Sequence, residues 1–396
     1  MSGKPLRICF VAPLANVLFD DTSGSIYGGS EIRAWSFAQG LGRLREFEVS
    51  MIVQGAAGRS MRRSNVDIRW HDFNGAGRVP RGLARILKHF DPMPGRDIAA
   101  LLRQIDPQIV AAFGAVGFNA MLGGVARRQA RKMALFLGSD IDLAGTLADV
   151  SAGRSLADLP PREEARAALL GADLIVAQTE WQARRAAALT GRPCPVVRNP
   201  IELRAGGLTD WADREGVLWI GKTDSIKRPM LAIEIARRCP EIRFRIVANP
   251  TSPGAWSEIS QATPPNVELL SRFSYGDEES FYGRARVLLN TSSFEGFPNA
   301  FLQAGRFGVP IVSAAADPDG FLQRTGSGIV ASSDPERLAD AIRSFVRDQA
   351  QWEVCSKAIR KYVEQHEISA RVADLAGFLV DLSRRGGTIP VNTVSA

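Results

Sequence analysis

Histidine is scarce in this sequence, with three among 396 residues: His71, His89 and His366. None of the three lies on the strands and loops that carry the glycine-rich and cationic motifs of the chain. Catalysis by a histidine base, including that of a Ser-His-Asp hydrolase, is therefore disfavoured. The G-x-G-x-x-G pattern that follows the first strand of nicotinamide enzymes is also absent, which lowers the odds of a dehydrogenase.

Cysteines and long apolar runs are few as well. The four cysteines stand far apart, at positions 9, 194, 239 and 355, without the short spacings of a zinc or redox motif. We expect free thiols in a reducing compartment. The sequence contains no run of about 18 apolar residues, so no transmembrane helix is predicted. The apolar run near the N-terminus is too short for a signal peptide and lacks a cleavage site, so the expected location is the cytoplasm.

The remaining composition is that of a soluble globular protein, 45% hydrophobic and 23% charged, and the length predicts two domains. The net charge of +7 comes without a nucleic-acid-binding motif, so no nucleic-acid partner is predicted. Basic residues cluster at 78–103, on a predicted helix over 80–90, and at Arg127, Arg128, Arg131 and Lys132, where no acid is near in the sequence. Such faces suit peripheral contact with an anionic membrane, although a charged helix face is commonly just solvated.

The most informative stretch runs from Leu288 to Ser313. Residues 286–290 (RVLLN) predict a buried parallel strand, and Pro298 suits the first turn of a helix predicted over 299–307. Gly308 ends that helix, and residues 310–312 begin the next strand. The free N–H groups at such a helix start face the carboxyl end of the sheet, where they can hold a phosphate or a sugar hydroxyl.

Polar residues follow two further predicted strands. Lys222 and Lys227 come directly after the strand over 216–221. Near the N-terminus, Gly28-Gly29 precede a helix predicted over 32–44 with Ser30 as its N-cap, and paired glycines allow close approach of a ligand. Asp140 and Asp142 form an Asp-x-Asp pair that we interpret as non-metal, because such pairs are common by chance. Further strands are predicted over 6–13, 48–54, 106–113, 133–137, 172–178, 244–248 and 267–270, with helices capped by Thr179 and Asp334 and a helical C-terminal region over 351–383.

Glu295-Gly296-Phe297-Pro298 resembles the signature of glycosyltransferase family 4, retaining sugar-nucleotide transferases of the GT-B architecture. Six segments resemble the family's pattern in the family's order: 28–31, 106–113, 138–140, 196–201, 217–228 and 286–313. The resemblance implies an α/β fold of two Rossmann-like, doubly wound parallel-sheet domains facing across a cleft. The expected parts are an acceptor-side domain (1–205), a nucleotide-sugar-binding domain (206–365), a helix returning to the first domain (366–384) and a disordered tail (385–396).

The implied reaction moves a sugar from a UDP- or GDP-linked donor to a glycan, lipid-linked or small-molecule acceptor hydroxyl, with retention, no cofactor and no metal. The resemblance points to hexosyl transfer in cell-envelope polysaccharide synthesis. It assigns catalytic roles to Glu295, Lys227 and Lys222. It assigns donor binding to Gly28, Gly29, Gly221, Lys222, Lys227, Gly296, Phe297, Pro298, Asn299, Ala300 and Gln303, and the acceptor side to Asp140 and Glu31.

Three residues depart from the family's pattern. Leu137 stands where many relatives have a histidine near the transferred sugar, Lys222 replaces an arginine, and Gln303 replaces the second glutamate of the signature. An ammonium cannot make the bidentate contact of a guanidinium with phosphate. These departures leave two alternatives: a catalytically silent GT-B protein that binds a nucleotide sugar or a partner glycosyltransferase, and a sugar-nucleotide epimerase, which the scarcity of histidine disfavours.

Overall fold

A computed structural model describes residues 4–19, 28–73, 96–146, 149, 159–203, 209–272 and 277–385. The chain divides into two compact units. The first contains residues 1–144, 160–200 and 369–396, and the second contains residues 145–159 and 201–368. The predicted basic helix over 80–90, the glycine-rich linker at 204–208 and almost all of the predicted tail lie outside the described residues.

The first unit is built on a seven-stranded sheet of order β3-β4-β2-β1-β5-β6-β7. All neighbouring strands pair in parallel except β3, which pairs antiparallel with β4 at the edge. The strands are β1 (Leu6–Val11), β2 (Phe47–Gln54), β3 (Ser60–Arg63), β4 (Val66–His71), β5 (Ile109–Phe113), β6 (Lys132–Phe136) and β7 (Leu174–Val176). The helices are α1 (Gly29–Gly42), α2 (Arg96–Ile105), α3 (Gly117–Arg128), α4 (Glu163–Gly171) and α5 (Glu180–Thr190).

The second unit is built on a six-stranded parallel sheet of order β10-β9-β8-β11-β12-β13. Its strands are β8 (Val217–Lys222), β9 (Phe244–Asn249), β10 (Val267–Leu270), β11 (Val287–Asn290), β12 (Ile311–Ser313) and β13 (Gly328–Val330). Its helices are α6 (Pro229–Arg238), α7 (Pro253–Ala262), α8 (Glu278–Tyr282), α9 (Asn299–Arg306), α10 (Phe321–Thr325), α11 (Pro335–Arg347) and α12 (Gln349–Val363). The last helix, α13 (Ile368–Arg384), lies almost wholly in the part of the chain that clusters with the first unit.

Apolar strands buried on both faces make the core of each unit, as expected of parallel sheets covered by helices. β1, β5 and β6 are almost entirely buried in the first unit, and β11 and β12 are entirely buried in the second. Helix α9 packs closely on α12, because Gly305 leaves no room for a side chain: a β-carbon there would collide with Cγ2 of Val363. This contact holds the helix that follows β11 against α12.

Several predicted boundaries need correction. Helix α1 begins at Gly29 with Gly28 as its N-cap, so the assignment of Ser30 as the cap was wrong. The strand predicted over 106–113 begins only at 109, because Asp106 adopts a left-handed conformation (φ 51°) after α2. The region predicted as one helical stretch over 351–383 contains two helices, separated by a 3-10 turn over Glu364–His366. Helices α2, α3, α4, α7 and α10 and strands β3, β4 and β13 were not predicted.

The basic residues between positions 127 and 132 were predicted to have no acid near them in the sequence. In the structure, acids that are distant in the sequence lie beside two of them. Arg131 pairs with Asp106 at 3.1 Å, and Lys132 lies 3.9 Å from a carboxylate oxygen of Asp173. Half of this run is therefore compensated within the fold, which weakens it as a contact for an anionic membrane. No helix in the described parts of the chain is long and apolar enough to cross a bilayer.

Candidate functional site

The candidate residues of the second unit lie at the switch point of its sheet. β8 and β11 are neighbours in the sheet, but the chain continues from β8 toward β9 and from β11 toward β12. The loops that follow β8 and β11 consequently leave in opposite directions, and this opens the crevice where ligands bind to doubly wound sheets. Lys227 lies on the first loop and Glu295 on the second.

Lys227 and Glu295, 68 residues apart in the chain, form an ion pair between Nζ and Oε1. The hydroxyl of Ser292 donates to the same Oε1 at 2.6 Å. The other carboxylate oxygen, Oε2, has no hydrogen-bond partner among the described residues. The lysine and glutamate side chains are 27% and 14% exposed, so the pair is shielded but accessible. A carboxylate oxygen is thus held in place and left able to accept a hydroxyl.

The loop that carries Lys227 is shaped by Asp224. Its carboxylate Oδ1 accepts hydrogen bonds from the backbone N–H of Ile226 at 3.1 Å and of Lys227 at 2.9 Å. Such an Asx turn reverses the chain directly after the strand. On the other loop, the hydroxyl of Thr291 accepts a hydrogen bond from the indole N–H of the buried Trp219 at 2.8 Å. The first loop is therefore shaped by a turn of its own, and the second is bonded to β8, the strand that precedes the first loop.

Gly221 and Lys222 end β8 beside this pair. A β-carbon at Gly221 would lie 2.9 Å from the ring of Trp219 and 3.3 Å from Cβ of Lys227, so the close approach requires glycine. Lys222 is half-buried, and its ammonium makes no hydrogen bond or ion pair with another residue that the structure describes. The structure thus brings a second, uncompensated cation to the same end of the sheet.

Helix α9 begins at the same edge, with Pro298 as its N-cap and Asn299 and Ala300 in its first turn. Gly296 and Pro298 are buried, and so is the Phe297 side chain, which is only 6% exposed. The ring of Phe297 stacks on Phe321 and lies 4.9 Å from the ring of His366. The side chain of Phe297 thus anchors the loop in the core and is not available to a ligand.

Gln303, one turn further along α9, has an unsatisfied amide oxygen. Its Oε1 is buried and has no hydrogen-bond partner among the described residues. A buried polar atom without a partner carries a desolvation penalty of about 1–3 kcal/mol. A hydroxyl donor from a ligand would remove that penalty.

The remaining candidates lie in the first unit, also at the carboxyl end of its sheet. Its switch point falls between β1 and β5. The carboxylate Oε2 of Glu31 accepts a hydrogen bond from the backbone N–H of Gly28 at 2.7 Å, which shapes the start of α1 next to Gly29. Gly138, after β6, faces this helix start, since a β-carbon there would lie 3.2 Å from the hydroxyl of Ser30. The structure therefore groups Gly28, Gly29 and Glu31 with the loop after β6.

Asp142, rather than Asp140, organises that loop. Its buried carboxylate accepts from the backbone N–H groups of Gly138 at 2.7 Å, Ser139 at 3.2 Å and Ala115 at 2.9 Å. Burial raises the pKa of this carboxyl, while the three N–H bonds act in the opposite direction. Asp140 accepts a hydrogen bond from the amide of Gln182 at 2.9 Å. Among the described residues no cluster of three or more His, Cys, Asp and Glu is arranged to hold a metal ion.

Leu137 is fully buried in the core of the first unit, so it is not a position on the surface of the candidate site. Its carbonyl accepts from the guanidinium of Arg33 at 2.8 Å and from the amide of Gln178 at 2.7 Å. Arg33 also donates to the carbonyl of Val197 at 3.1 Å and lies among aromatic rings. Burial lowers the pKa of the Arg33 guanidinium to about 9.

Four residues important to these sites were missed from the sequence: Arg33, Asp142, Arg228 and Ser292. Only Asp142 carried a signal, as the second member of the Asp-x-Asp pair. Arg33 and Arg228 bond to residues that are distant in the sequence, and Ser292 reaches Glu295 only through the conformation of their loop. The local sequence pattern therefore did not indicate these contacts.

Residues 214–348 match the family model described as Glycosyl transferases group 1. This match spans about a third of the chain and lies entirely in the second unit, where it includes Lys222, Lys227, Glu295 and Gln303. No match was found among the curated proteins.

Solved structures resemble the whole chain. Sucrose-phosphate synthase from Thermosynechococcus elongatus is 13% identical, with 95% of this chain and 99% of that chain covered and a TM-score of 0.73. An α,α-trehalose-phosphate synthase (UDP-forming) from Burkholderia vietnamiensis is 13% identical, with 96% of this chain and 98% of that chain covered and a TM-score of 0.67. A putative UDP-N-acetylglucosamine 2-epimerase from Listeria monocytogenes is 12% identical, with 96% of this chain and 98% of that chain covered and a TM-score of 0.62.

At these identities the structural likeness establishes the fold alone. Two α/β units on predominantly parallel sheets, together with these neighbours over nearly the full length, confirm the predicted GT-B fold. The family match in the second unit, added to this fold, supports a glycosyltransferase.

Proposed function

We propose that this protein is a retaining glycosyltransferase that moves a sugar from a nucleoside-diphosphate sugar to an acceptor hydroxyl without a metal ion. The observation that carries the proposal is the meeting of Lys227, Glu295 and the uncompensated Lys222 at the switch point of the second sheet. This arrangement lies within the region that matches the group 1 glycosyltransferases.

Departure of the nucleoside diphosphate develops negative charge on its phosphate oxygens. Lys222, Lys227 and the start of α9 supply the positive charge and N–H dipoles that stabilise such a leaving group. In this proposal protein cations take the part that a divalent metal plays in other transferases. Because the ammonium of Lys222 has no partner within the described residues, it is available to a phosphate without breaking an existing ion pair.

The carboxylate of Glu295 serves the sugar. Its Oε2 accepts a hydroxyl of the transferred sugar, and its negative charge stabilises the oxocarbenium-like transition state. Retention follows in the proposal from attack by the acceptor on the face from which the diphosphate departs. Gln303, whose buried amide oxygen lacks a partner, accepts a hydroxyl of the nucleotide ribose.

The acceptor side of the proposal rests on the first unit, where Glu31 and Asp140 lie at the carboxyl end of the sheet. The similar synthases reported above are named for phosphorylated sugar products, and glycan, lipid-linked and small-molecule acceptors are all candidates for this chain. A UDP-linked donor is the first to test, because one similar structure is a UDP-forming synthase.

Calorimetric titration of the purified protein with UDP, GDP, ADP and dTDP, each in EDTA, tests the donor side. We expect one nucleotide to bind, and Lys227→Ala to weaken that binding. Lys357→Ala, which changes an exposed lysine on α12, is the matched control and should bind as the wild type does. Binding of none of the four would contradict the proposal.

Turnover of the corresponding nucleotide sugar distinguishes the reaction from its alternatives. Proton NMR of the product should show the anomeric configuration of the donor, and omission of acceptors should abolish net transfer. A 2-epimerase, the activity named for one similar structure, would instead change the donor sugar without any acceptor. A silent binding protein would bind the nucleotide and leave every donor intact.

A further inference from the structure

Arg228, directly after Lys227, has an unusual backbone. It adopts a left-handed conformation (φ 49°, ψ 60°) at the N-cap of α6. Residues with a β-carbon seldom occupy this region, and glycine is the residue that enters it at little steric cost. Strained positions of this kind persist only where the surrounding contacts hold them. The reason for an arginine here therefore lies in what its side chain contacts.

The guanidinium of Arg228 connects loops that follow three different strands. Its Nε donates to the backbone carbonyl of Thr291 at 2.6 Å, on the loop after β11. Its Nη2 donates to the hydroxyl of Ser333 at 2.9 Å, after β13. Ser333 in turn donates its backbone N–H to the carbonyl of Ala314 at 2.7 Å, after β12.

The contact between the loops after β8 and β11 is reciprocal. While Arg228 donates to the carbonyl of Thr291, the hydroxyl of Thr291 donates to the carbonyl of Lys227 at 2.5 Å. Two residues after Thr291, the backbone N–H of Ser293 donates to the carbonyl of Ile226, the residue before Lys227, at 2.9 Å. The loop with Lys227 is thus bonded, backbone and side chain, to the loop with Glu295.

We propose that Arg228 is a positioning residue for sugar transfer: it fixes the loop of Lys227 against the loop of Glu295, and so sets the separation of the ammonium and the carboxylate. The inference deepens the proposed function and rests on it. Arg228 acts through these two residues and touches neither the diphosphate nor the sugar itself.

An arginine suits this role for a geometric reason. The two acceptors, the carbonyl of Thr291 and the hydroxyl of Ser333, are reached by two different nitrogens of one rigid, planar group. A lysine ammonium is a point charge on a flexible stem and does not reproduce this fork. Lysine at position 228 should keep the charge and lose the geometry.

The reaction needs both members of the pair in register, because Lys227 stabilises the diphosphate as its bond to the sugar breaks, while positive charge grows at the sugar beside Glu295. Displacement of one reacting group by about 1 Å can lower a rate about 100-fold. Binding of the free nucleoside diphosphate does not need the carboxylate of Glu295, and a long lysine side chain adapts to a small loop movement. Loss of Arg228 should therefore lower kcat far more than it weakens nucleotide binding.

Arg228→Gly is the informative variant, since glycine adopts the left-handed conformation without strain while the guanidinium is removed. We expect kcat to fall about tenfold or more, with the Kd of the nucleoside diphosphate changed less than about threefold. Arg228→Lys should show the same split. The matched control is Arg286→Lys: Arg286 also donates to two carbonyls, those of Trp211 and Val346, but at the amino end of β11. This control should lower stability and leave kcat unchanged.

Hydrogen exchange provides a readout that does not depend on activity. In Arg228→Gly the amide of Ser293, bonded to Ile226, should exchange at least about tenfold faster while the melting temperature changes little. Unchanged exchange at Ser293, or a wild-type kcat in Arg228→Gly, would overturn the positioning role alone. A wild-type protein that turns over no donor would overturn the proposed function, and the positioning role would fall with it.

Discussion

Replacement of Glu295 by glutamine should tighten nucleotide binding while it slows transfer. In the structure the ammonium of Lys227 is held by the carboxylate of Glu295. A diphosphate that takes up Lys227 must therefore compete with this ion pair, and its own negative charge is repelled by the carboxylate. Glutamine keeps an oxygen for the hydroxyl of Ser292, so the loop should retain its shape. Only the charge is removed.

The magnitude follows from the exposure of the pair. Ion pairs on protein surfaces contribute about 0.2–1 kcal/mol, and this pair, with side chains 27% and 14% exposed, falls near the upper end of that range. Release of about 1 kcal/mol corresponds to roughly fivefold tighter binding of the nucleoside diphosphate. Loss of a charge that stabilises the transition state costs about 100-fold or more in kcat. The two effects have opposite signs, which makes the prediction specific.

Calorimetry measures the Kd of the preferred nucleoside diphosphate for wild type and Glu295→Gln at low and high salt. The gain in affinity should shrink at high salt, because screening weakens the competing ion pair. The control is Glu268→Gln, which removes a carboxylate bonded to Arg245 at 2.7 Å on β10 and should leave the Kd unchanged. Equal or weaker binding by Glu295→Gln would refute the idea that this ion pair competes with the donor.

Further predictions concern stability and metal dependence. Gly305→Ala should lower the free energy of unfolding by about 1–3 kcal/mol, because the added β-carbon overpacks against Val363. A second substitution, Val363→Ala, combined with Gly305→Ala should restore part of that free energy. The control Gly377→Ala should not destabilise, since no neighbouring atom of the described residues lies within 4 Å of the added β-carbon. Asp142→Asn should cost about 1–3 kcal/mol at pH 7, because an NH₂ group then faces backbone N–H donors. Thr179→Ala removes the N-cap of α5, which accepts from the backbone N–H of residue 182, and should cost about 1 kcal/mol; urea unfolding measures all of these changes. Transfer should proceed unchanged in EDTA, and a rate restored only by added Mg²⁺ or Mn²⁺ would contradict the metal-independent mechanism.

Elements defined by local signals were predictable from the sequence. The strand β10 occupies the predicted residues 267–270, and Thr179 and Asp334 cap α5 and α11 as predicted. An N-cap and an apolar run act within a few residues, so their pattern is visible in one stretch of chain. β4 carried such a signal, because Val66, Ile68 and Trp70 alternate with more exposed residues, and it was overlooked. β3 carried none, since all four of its residues are exposed.

The candidate site was predictable in its residue types but not in its contacts. Lys227 and Glu295 were identified through a family resemblance, whereas their ion pair depends on β11 lying beside β8, and strand order is not encoded in any local pattern. The motif also could not separate backbone from side-chain roles. Phe297 was predicted to bind the donor, whereas its ring fills the core beneath the loop and stacks on Phe321.

The three departures from the family's pattern have unequal weight once their surroundings are known. Leu137 lies in the core with no exposed surface, so the side chain at this position cannot contact a sugar from where it stands, and its carbonyl is already engaged by Arg33 and Gln178. The side chain of Leu137 therefore does not supply whatever a histidine contributes in relatives.

Lys222 and Gln303 differ from Leu137 because each still presents a polar group at the carboxyl end of the second sheet. Lys222 keeps its charge without a partner among the described residues, and Gln303 keeps an unsatisfied, buried oxygen. The departures at Lys222 and Gln303 therefore leave polar groups for the nucleoside diphosphate of the proposed reaction, whereas Leu137 leaves none for the transferred sugar, and nucleotide binding is the property that we expect to survive them best.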